Sequence, residues 1–471
     1  MMDGKIIILA VVLYALMLTL ISRWTARKAD NDTFFRANRR APWPMVAFGM
    51  VGASISGVTF VSVPGMVLTS QMTYLQVCLG FILGYLAVAF VLLPVYYRLN
   101  LTTIYTYLGQ RLGQRSYTTG ASFFLLSKMV GSAVKFYVVC IILQQFVFAA
   151  LGVPFWLTVV GLVLLIWLYT QRGGIGTLVF TDTFQTLCLF TALLLIIYKV
   201  MGAMGLSLTE AVQAVAGDER SRIFVMDDWM SPRNFWKQLL SGAFIVVVMT
   251  GLDQDMMQKN LTCRTLREAQ KNMCTYGVAF LPANLLFLGL GVLLAQWMGG
   301  ASLRGDELLS SFVARQGGVV AVLFVIGIVA ASFSSADSAL TSLTTSFCVD
   351  ICHKPADERL RRAVHVVMCL VFALFILFVH AVNSSSLIDT IYTIVSYTYG
   401  PLLGLFAFGL FTHWQVRDRW VPLVCISAPL LCYAADWGCA FWLDYHFGYE
   451  LLLLNGILTF AGLCLLRKNS Q

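Results

Sequence analysis

The most polar stretch inside a long apolar segment is residues 330–338, which contain four serines and one aspartate. On a helix, residues three and four positions apart share one face, and this places together Ala331, Ser334, Ser335 and Ser338. Hydroxyls, a carboxylate and a freed backbone carbonyl are the oxygen ligands that hard cations prefer. The alternative is close helix packing through small residues, with the serines bonded within their own helix. Asp337 favours the cation site, because a carboxylate is costly inside an apolar segment.

Composition identifies the elements that must position this stretch. The chain has 471 residues, of which 59% are hydrophobic and 12% charged, and its mean hydropathy is +0.80. These values are typical of an all-α polytopic membrane protein. The twelve cysteines include no CxxC pair, so neither a disulfide framework nor a zinc site is indicated. The net charge of +9 does not indicate nucleic acid binding, because most of the basic residues lie in the loops on one side of the membrane spans predicted from the sequence.

Thirteen apolar segments are long enough to cross a bilayer. They cover 5–22, 45–69, 74–97, 118–149, 153–170, 177–200, 236–256, 273–298, 317–349, 363–383, 387–412, 420–438 and 449–466. With the N-terminus outside, 22 basic residues fall in the loops of one side and eight in those of the other. The excess of Lys and Arg on cytoplasmic loops predicts an external N-terminus and a cytoplasmic C-terminus in the plasma (inner) membrane.

The second and seventh spans each open a block of five spans, and each has a polar, interrupted middle. In the second span, glycines and hydroxyl residues crowd positions 49–60. This pattern is typical of a discontinuous helix, although close packing through small residues is the alternative. Five spans per block give the second block the opposite orientation, which predicts inverted repeats. The predicted organisation is an N-terminal helix and loop (1–44), a first repeat (45–201), an outer loop (202–235), a second repeat (236–413) and two C-terminal helices (414–471).

Further charged residues lie inside apolar segments. Lys128 and Lys135, seven residues apart in the fourth span, share a face and could attract an anionic or carbonyl-rich solute, or neutralise a buried aspartate. Asp182 is a second buried carboxylate, in the sixth span. In the seventh span Asp253 and Gln254 are cavity candidates, whereas Asp255 is expected to pair with Lys259 at i,i+4. In the eleventh span Pro401, which is flanked by tyrosines, could be a gate hinge or ordinary packing at a kink, and kink packing is favoured.

Four motifs together resemble the sodium:solute symporters, over essentially the whole chain. They are Gly173-Gly174 with Thr181-Asp182 and Gln185; Asp253-Gln254 with Gln258-Lys259; Ser334-Ser335 with Asp337-Ser338; and Tyr399-Gly400-Pro401. The resemblance implies the leucine-transporter fold, with five-plus-five inverted repeats, one helix before them and others after. It also implies a co-transported sodium ion.

The resemblance carries site residues with it. The family's common sodium site would use the carbonyls of Gly52, Ile55 and Ala331 and the hydroxyls of Ser334 and Ser335. A second sodium site, present in some members, would use Asp182, Ser334, Asp337 and Ser338. The substrate would lie at the broken second span, and the candidate contacts are Ser54, Ser56, Thr59, Phe60, Gln76, Lys135, Asp253, Gln254 and Thr393.

These features predict a sodium-coupled symporter that imports a small polar organic solute, with a sugar or a related solute favoured, by alternating access. It is expected to be a monomer in the lipid bilayer and not an enzyme, because the five histidines form no recognisable catalytic motif. Two alternatives stay open. A proton-coupled carrier could use Asp182, Asp253 or Asp337 as a relay. A transporter-derived solute sensor is disfavoured by a tail after Arg467 that is too short for a signalling domain.

Overall fold

A computed structural model describes residues 2–27, 29–229, 231–299, 305–382, 387–443, 445, 447 and 450–468. Within the helix that begins at Leu387, side chains are described from Ser396 onward. The described residues form helices joined by short loops, and their only β contacts are two isolated bridges. The predicted all-α class is confirmed.

The principal helices follow the predicted spans closely. They are α1 (Met2–Thr25), α2 (Trp43–Ser54), α3 (Gly57–Ser70), α4 (Tyr74–Arg98), α5 (Gln114–Phe148), α6 (Phe155–Thr170), α7 (Ile175–Met204), α8 (Phe235–Gly251), α9 (Gln254–Asn260), α10 (Leu266–Met298), α11 (Gly318–Ile351), α12 (Glu358–Val382), α13 (Leu387–Phe411), α14 (Val421–Leu443) and α15 (Leu451–Leu465). A short helix, Leu208–Ala216, lies in the predicted outer loop and begins at a capping box of Ser207 and Glu210.

Eight of the described helices are long and apolar enough to cross a membrane. Two helix pairs, α2 with α3 and α8 with α9, pass the same test together and are bent by 61° and 72°, so the count rises to ten if each pair is one span. Helices α6 and α15 are apolar but shorter. The protein is therefore embedded in a membrane, and a total of thirteen crossings stays a prediction.

The two bends have local causes. Between α2 and α3 the backbone of Ile55 and Ser56 is extended, and the Ser56 hydroxyl caps α3 by accepting a hydrogen bond from the Thr59 amide at 3.4 Å. Between α8 and α9 Asp253 is extended and caps α9, accepting from the Asp255 amide at 2.8 Å. Both polar interruptions identified in the sequence thus end one helix and begin another.

Helices α7 and α11 pack against each other and against the first bend. A Cβ atom added to Gly49 would lie 2.9 Å from the Cβ of Asp182, and one added to Gly52 would lie 1.9 Å from Thr186 Oγ1. The glycines therefore allow α2 to approach α7 at backbone distance. Helix α11 is the most buried of the eight spanning candidates, with 72% of its apolar window inside the protein.

Candidate functional site

A cavity of about 160 Å³ lies beside both bends, between α3, α4, α5, α8 and α10. Its wall combines aromatic and aliphatic side chains with a few polar groups, the usual composition of a small-molecule site. The predicted site residues that line it are Ser54, Ser56, Thr59, Lys135, Asp253 and Ser335. Lys128, Asp255 and Tyr399 also contribute to its wall.

Lys128 neutralises the acids at the second bend. Its ammonium lies 2.6 Å from Asp255 Oδ2 and 3.2 Å from Asp253 Oδ2. The Tyr399 hydroxyl donates a hydrogen bond of 2.6 Å to the same Asp253 oxygen. The sequence-based pairing of Asp255 is therefore wrong, because Asp255 pairs with a lysine on another helix and not with Lys259. Tyr399 has a role that the sequence analysis did not predict, since it holds a site carboxylate.

Lys135 differs from Lys128 in having no counter-ion among the described side chains. It is half-buried, lines the cavity and makes no ion pair or hydrogen bond there. The structure thus separates the two roles that the sequence left open for the lysines of the fourth span. Lys128 neutralises buried aspartates, and Lys135 directs a positive charge at the cavity.

Asp182 is the centre of a second polar cluster, which is buried between α7, α9 and α11. The Ser334 hydroxyl donates to Asp182 Oδ1 at 2.7 Å, and the Lys259 ammonium lies 2.7 Å from Oδ2. The Asp182 and Lys259 side chains are 2% and 3% exposed. Because the Ser334 hydroxyl hydrogen points to Asp182, the lone pairs of its oxygen are available to another ligand.

The first bend lies against the serine-rich part of α11. A Cβ atom added to Gly57 would lie 2.2 Å from Ser332 Oγ, one residue after Ala331. The bend at Ile55 leaves backbone carbonyls without helical partners. The helices on both sides of this bend, α2 and α3, pack against α11. The predicted set of Gly52, Ile55, Ala331, Ser334 and Ser335 therefore comes from two segments in contact.

Asp337 and Ser338 lie in the same buried layer of α11. Tyr169 of α6 donates a hydrogen bond of 2.8 Å to Asp337 Oδ2. Asp337 Oδ1 and Ser338 Oγ have no partner among the described residues. Unpaired buried oxygens are unfavourable unless a cation or a proton satisfies them.

Three predicted substrate contacts, Phe60, Gln76 and Gln254, are not among the residues that line the cavity. Phe60 is buried against Phe287, with ring centroids 5.3 Å apart. Gln76 and Gln254 are also buried and bond to loop backbones. Gln76 bonds to Val225 and Arg233 in the predicted outer loop, and Gln254 bonds to the backbone of Thr102 and Ile104. The side chain of Thr393 lies outside the described residues.

Two tyrosines that the sequence analysis did not select line the cavity near the first bend. The Ser54 and Tyr276 hydroxyls are 2.5 Å apart, and the Tyr85 hydroxyl donates to Tyr276 at 2.8 Å. Their signal in the sequence is weak, because a tyrosine in an apolar helix is as common at a packing position as at a binding site.

Comparison with known proteins identifies the family. The profile of the sodium:solute symporter family matches residues 34–416. The chain belongs to the sodium:solute symporter family. Its relatives include the sodium/sialic acid symporter NanT of Aliivibrio fischeri, which is 26% identical over 82% of this chain and 79% of that protein. The SiaT symporter of Proteus mirabilis is 25% identical over 84% of this chain and 82% of that protein. The human sodium/iodide cotransporter is 27% identical over 53% of this chain, but that match spans 38% of the cotransporter.

The fold is also shared with solved transporters. A sodium-coupled sialic acid symporter in a substrate-bound, outward-open state superposes with a TM-score of 0.83 at 20% identity, covering 99% of both chains. Mhp1, a nucleobase-cation-symport-1 family transporter, gives 0.58 at 14% identity, covering 92% of both chains. The protein is a membrane transporter of a sodium-coupled family and not an enzyme.

Proposed function

We propose that this family member is a secondary active symporter that couples sodium entry to the import of a small polar organic solute. The observation that carries the proposal is the position of the first helix bend. The bend leaves carbonyls without helical partners, the helices on both sides of it pack against α11, and the cavity lies at Ser54, Ser56 and Thr59. An ion and a solute bound there would share one broken helix, which is the physical requirement for coupling.

We infer that sodium binds between the first bend and the serine-rich part of α11. The ligands would be the carbonyls of Gly52, Ile55 and Ala331 and the hydroxyls of Ser334 and Ser335, all oxygens of the type that a hard cation prefers. An ion at this place would hold the first bend against α11. It would thereby favour the conformation in which the cavity is formed, and it would raise solute affinity to the extent that it binds this conformation better.

The solute would contact the hydroxyls of Ser54, Ser56 and Thr59 at the first bend, and the Asp253 cluster at the second. Lys135 would hold a carbonyl or an anionic group, because it is the cation in the described lining without a counter-ion. The sequence-based preference for a sugar or a related solute stays a hypothesis. The relatives are named for sialic acid and iodide, so the family does not by itself identify the solute.

We further propose thirteen crossings in five-plus-five inverted repeats, an external N-terminus and a cytoplasmic C-terminus in the plasma membrane. Transport would alternate access to the two sides. On the predicted cytoplasmic side α9 is tied down, since Gln258 donates to the Phe35 carbonyl at 2.8 Å and Tyr97 donates to the Asn260 carbonyl at 3.0 Å. These contacts would have to break before the site could open inward.

The test is the thermal stability of the purified protein in sodium, compared with potassium or choline, and screened against sugars, sialic acids, amino acids, inositols and carboxylates. Sodium-specific stabilisation that deepens with one solute class is expected, because a ligand that binds the folded state stabilises it by mass action. Uptake into proteoliposomes would then show transport. Uptake driven by pH without sodium would establish the proton-coupled alternative, and binding without flux would establish a sensor.

A further inference from the structure

One buried ion pair, Asp182 with Lys259, lies beside Ser334, a predicted sodium ligand. Asp182 on α7 needs a positive partner, because a carboxylate that is 2% exposed in a membrane protein has lost its water. The structure supplies that partner from the chain itself: Lys259 of α9 extends to Asp182 and is equally buried. The Lys259 ammonium therefore does not face the solvent, and it pairs with the Asp182 carboxylate.

Both oxygens of Asp182 are therefore engaged. Oδ1 accepts from Ser334 and Oδ2 contacts the Lys259 ammonium, each at 2.7 Å. A sodium ion coordinated by the same carboxylate would lie within a few ångströms of the ammonium, and the two positive charges would repel each other in a medium of low dielectric constant. Among the described residues Asp182 is the only ion-pair partner of Lys259.

We propose that Lys259 is a tethered substitute for a second sodium ion, and that this chain binds one sodium ion per transport cycle. The inference rests on the proposed function, and it departs from the second sodium set suggested by the resemblance. The ammonium and sodium both carry one positive charge, so either can satisfy Asp182. The ammonium is covalently attached to α9 and cannot be transported.

The other residues of the predicted second sodium site, Asp337 and Ser338, indicate what would follow if the Lys259 ammonium were removed. Asp337 Oδ1 and Ser338 Oγ are buried, and no residue in the described part of the chain bonds to either atom. With Lys259 neutral, these atoms, Asp182 and Ser334 would offer carboxylate and hydroxyl oxygens with no cation of their own. A hard cation prefers such a set, so the Lys259→Met variant is expected to bind a second sodium ion.

The experiment is a sodium titration of purified protein, read both as bound radioactive sodium at equilibrium and as thermal stability. The wild type is expected to saturate at about one bound sodium ion per protein, and Lys259→Met at about two, as the proposal requires. Lys259→Arg keeps the charge and should behave as the wild type.

A further variant protects the test against misfolding of the single mutant. Lys259→Met combined with Asp182→Asn removes both charges, should fold and should bind one sodium ion. Two sodium ions in the wild type, unchanged in Lys259→Met, would overturn the inference and leave sodium coupling intact. No sodium binding in the wild type would instead contradict the proposed function.

Discussion

Ser334 is the residue on which the sodium assignment depends most directly. Its hydroxyl hydrogen is committed to Asp182 at 2.7 Å, and its oxygen is one of the five proposed sodium ligands. Replacing Ser334 with alanine removes a proposed sodium ligand and the hydrogen bond from this hydroxyl to Asp182 Oδ1. A hydrogen bond to a charged group contributes about 1.5–3 kcal/mol. If the lost ion contact is of similar size, the sodium concentration for half-maximal stabilisation should rise roughly tenfold to a hundredfold.

The matched control is two residues away on the same helix. Ser332 is also buried, but its hydroxyl has no partner among the described residues. Ser332→Ala makes the same chemical change without removing a bond, and it is expected to be neutral or slightly stabilising. The assay is the melting temperature of each purified variant across sodium concentrations, with choline maintaining the ionic strength. Equal sodium dependence in Ser334→Ala and Ser332→Ala would refute the assignment of Ser334 as a ligand.

Three further predictions follow from the structure. Lys135→Met should weaken binding of a carboxylate solute by about tenfold, the effect of losing one charge-assisted contact, whereas Lys135→Arg should retain most of the affinity. Equal affinities of the two variants for this solute in competition binding would contradict a solute contact. Gly57→Ala should lower the free energy of unfolding by about 1–3 kcal/mol, because its new Cβ would lie 2.2 Å from Ser332 Oγ, and Ser332→Ala should relieve part of this cost in the double variant. Burial acts to raise the pKa of Asp218 in the predicted outer loop, but hydrogen bonds, including a 2.8 Å bond from Gln296, lower the pKa overall. A lowered pKa stabilises the loop at neutral pH, so the protection of its amides against hydrogen exchange, corrected for the intrinsic rate, should decrease as the pH falls below about 4 in the wild type but not in Asp218→Asn.

Much of the architecture could be predicted from hydropathy. A membrane helix must satisfy its own backbone hydrogen bonds and present apolar side chains to lipid, so its length and composition are visible in the sequence. The predicted span 177–200 appears as Ile175–Met204, and the predicted interruption of the second span appears as the bend at Ile55 and Ser56. Local chemistry decides such features, and local chemistry can be predicted from neighbouring residues.

The pairing of buried charges could not be predicted in the same way. The i,i+4 rule placed Asp255 with Lys259, but the structure pairs Asp255 with Lys128 and Lys259 with Asp182. These partners are separated by 127 and 77 positions in the sequence. The rule applies to a helix surrounded by water, whereas here the side chains point into the protein and meet whatever the neighbouring helix presents.

The sequence alone therefore determined that the protein is helical and membrane-embedded, where its helices break, and which family it belongs to. Only the tertiary structure decided which lysine neutralises which aspartate, that Lys135 faces the cavity without a counter-ion among the described side chains, and that Tyr399 holds Asp253. The physical reason is that hydropathy acts on each segment separately, whereas an ion pair exists only between atoms that the packing of distant helices brings within about 4 Å.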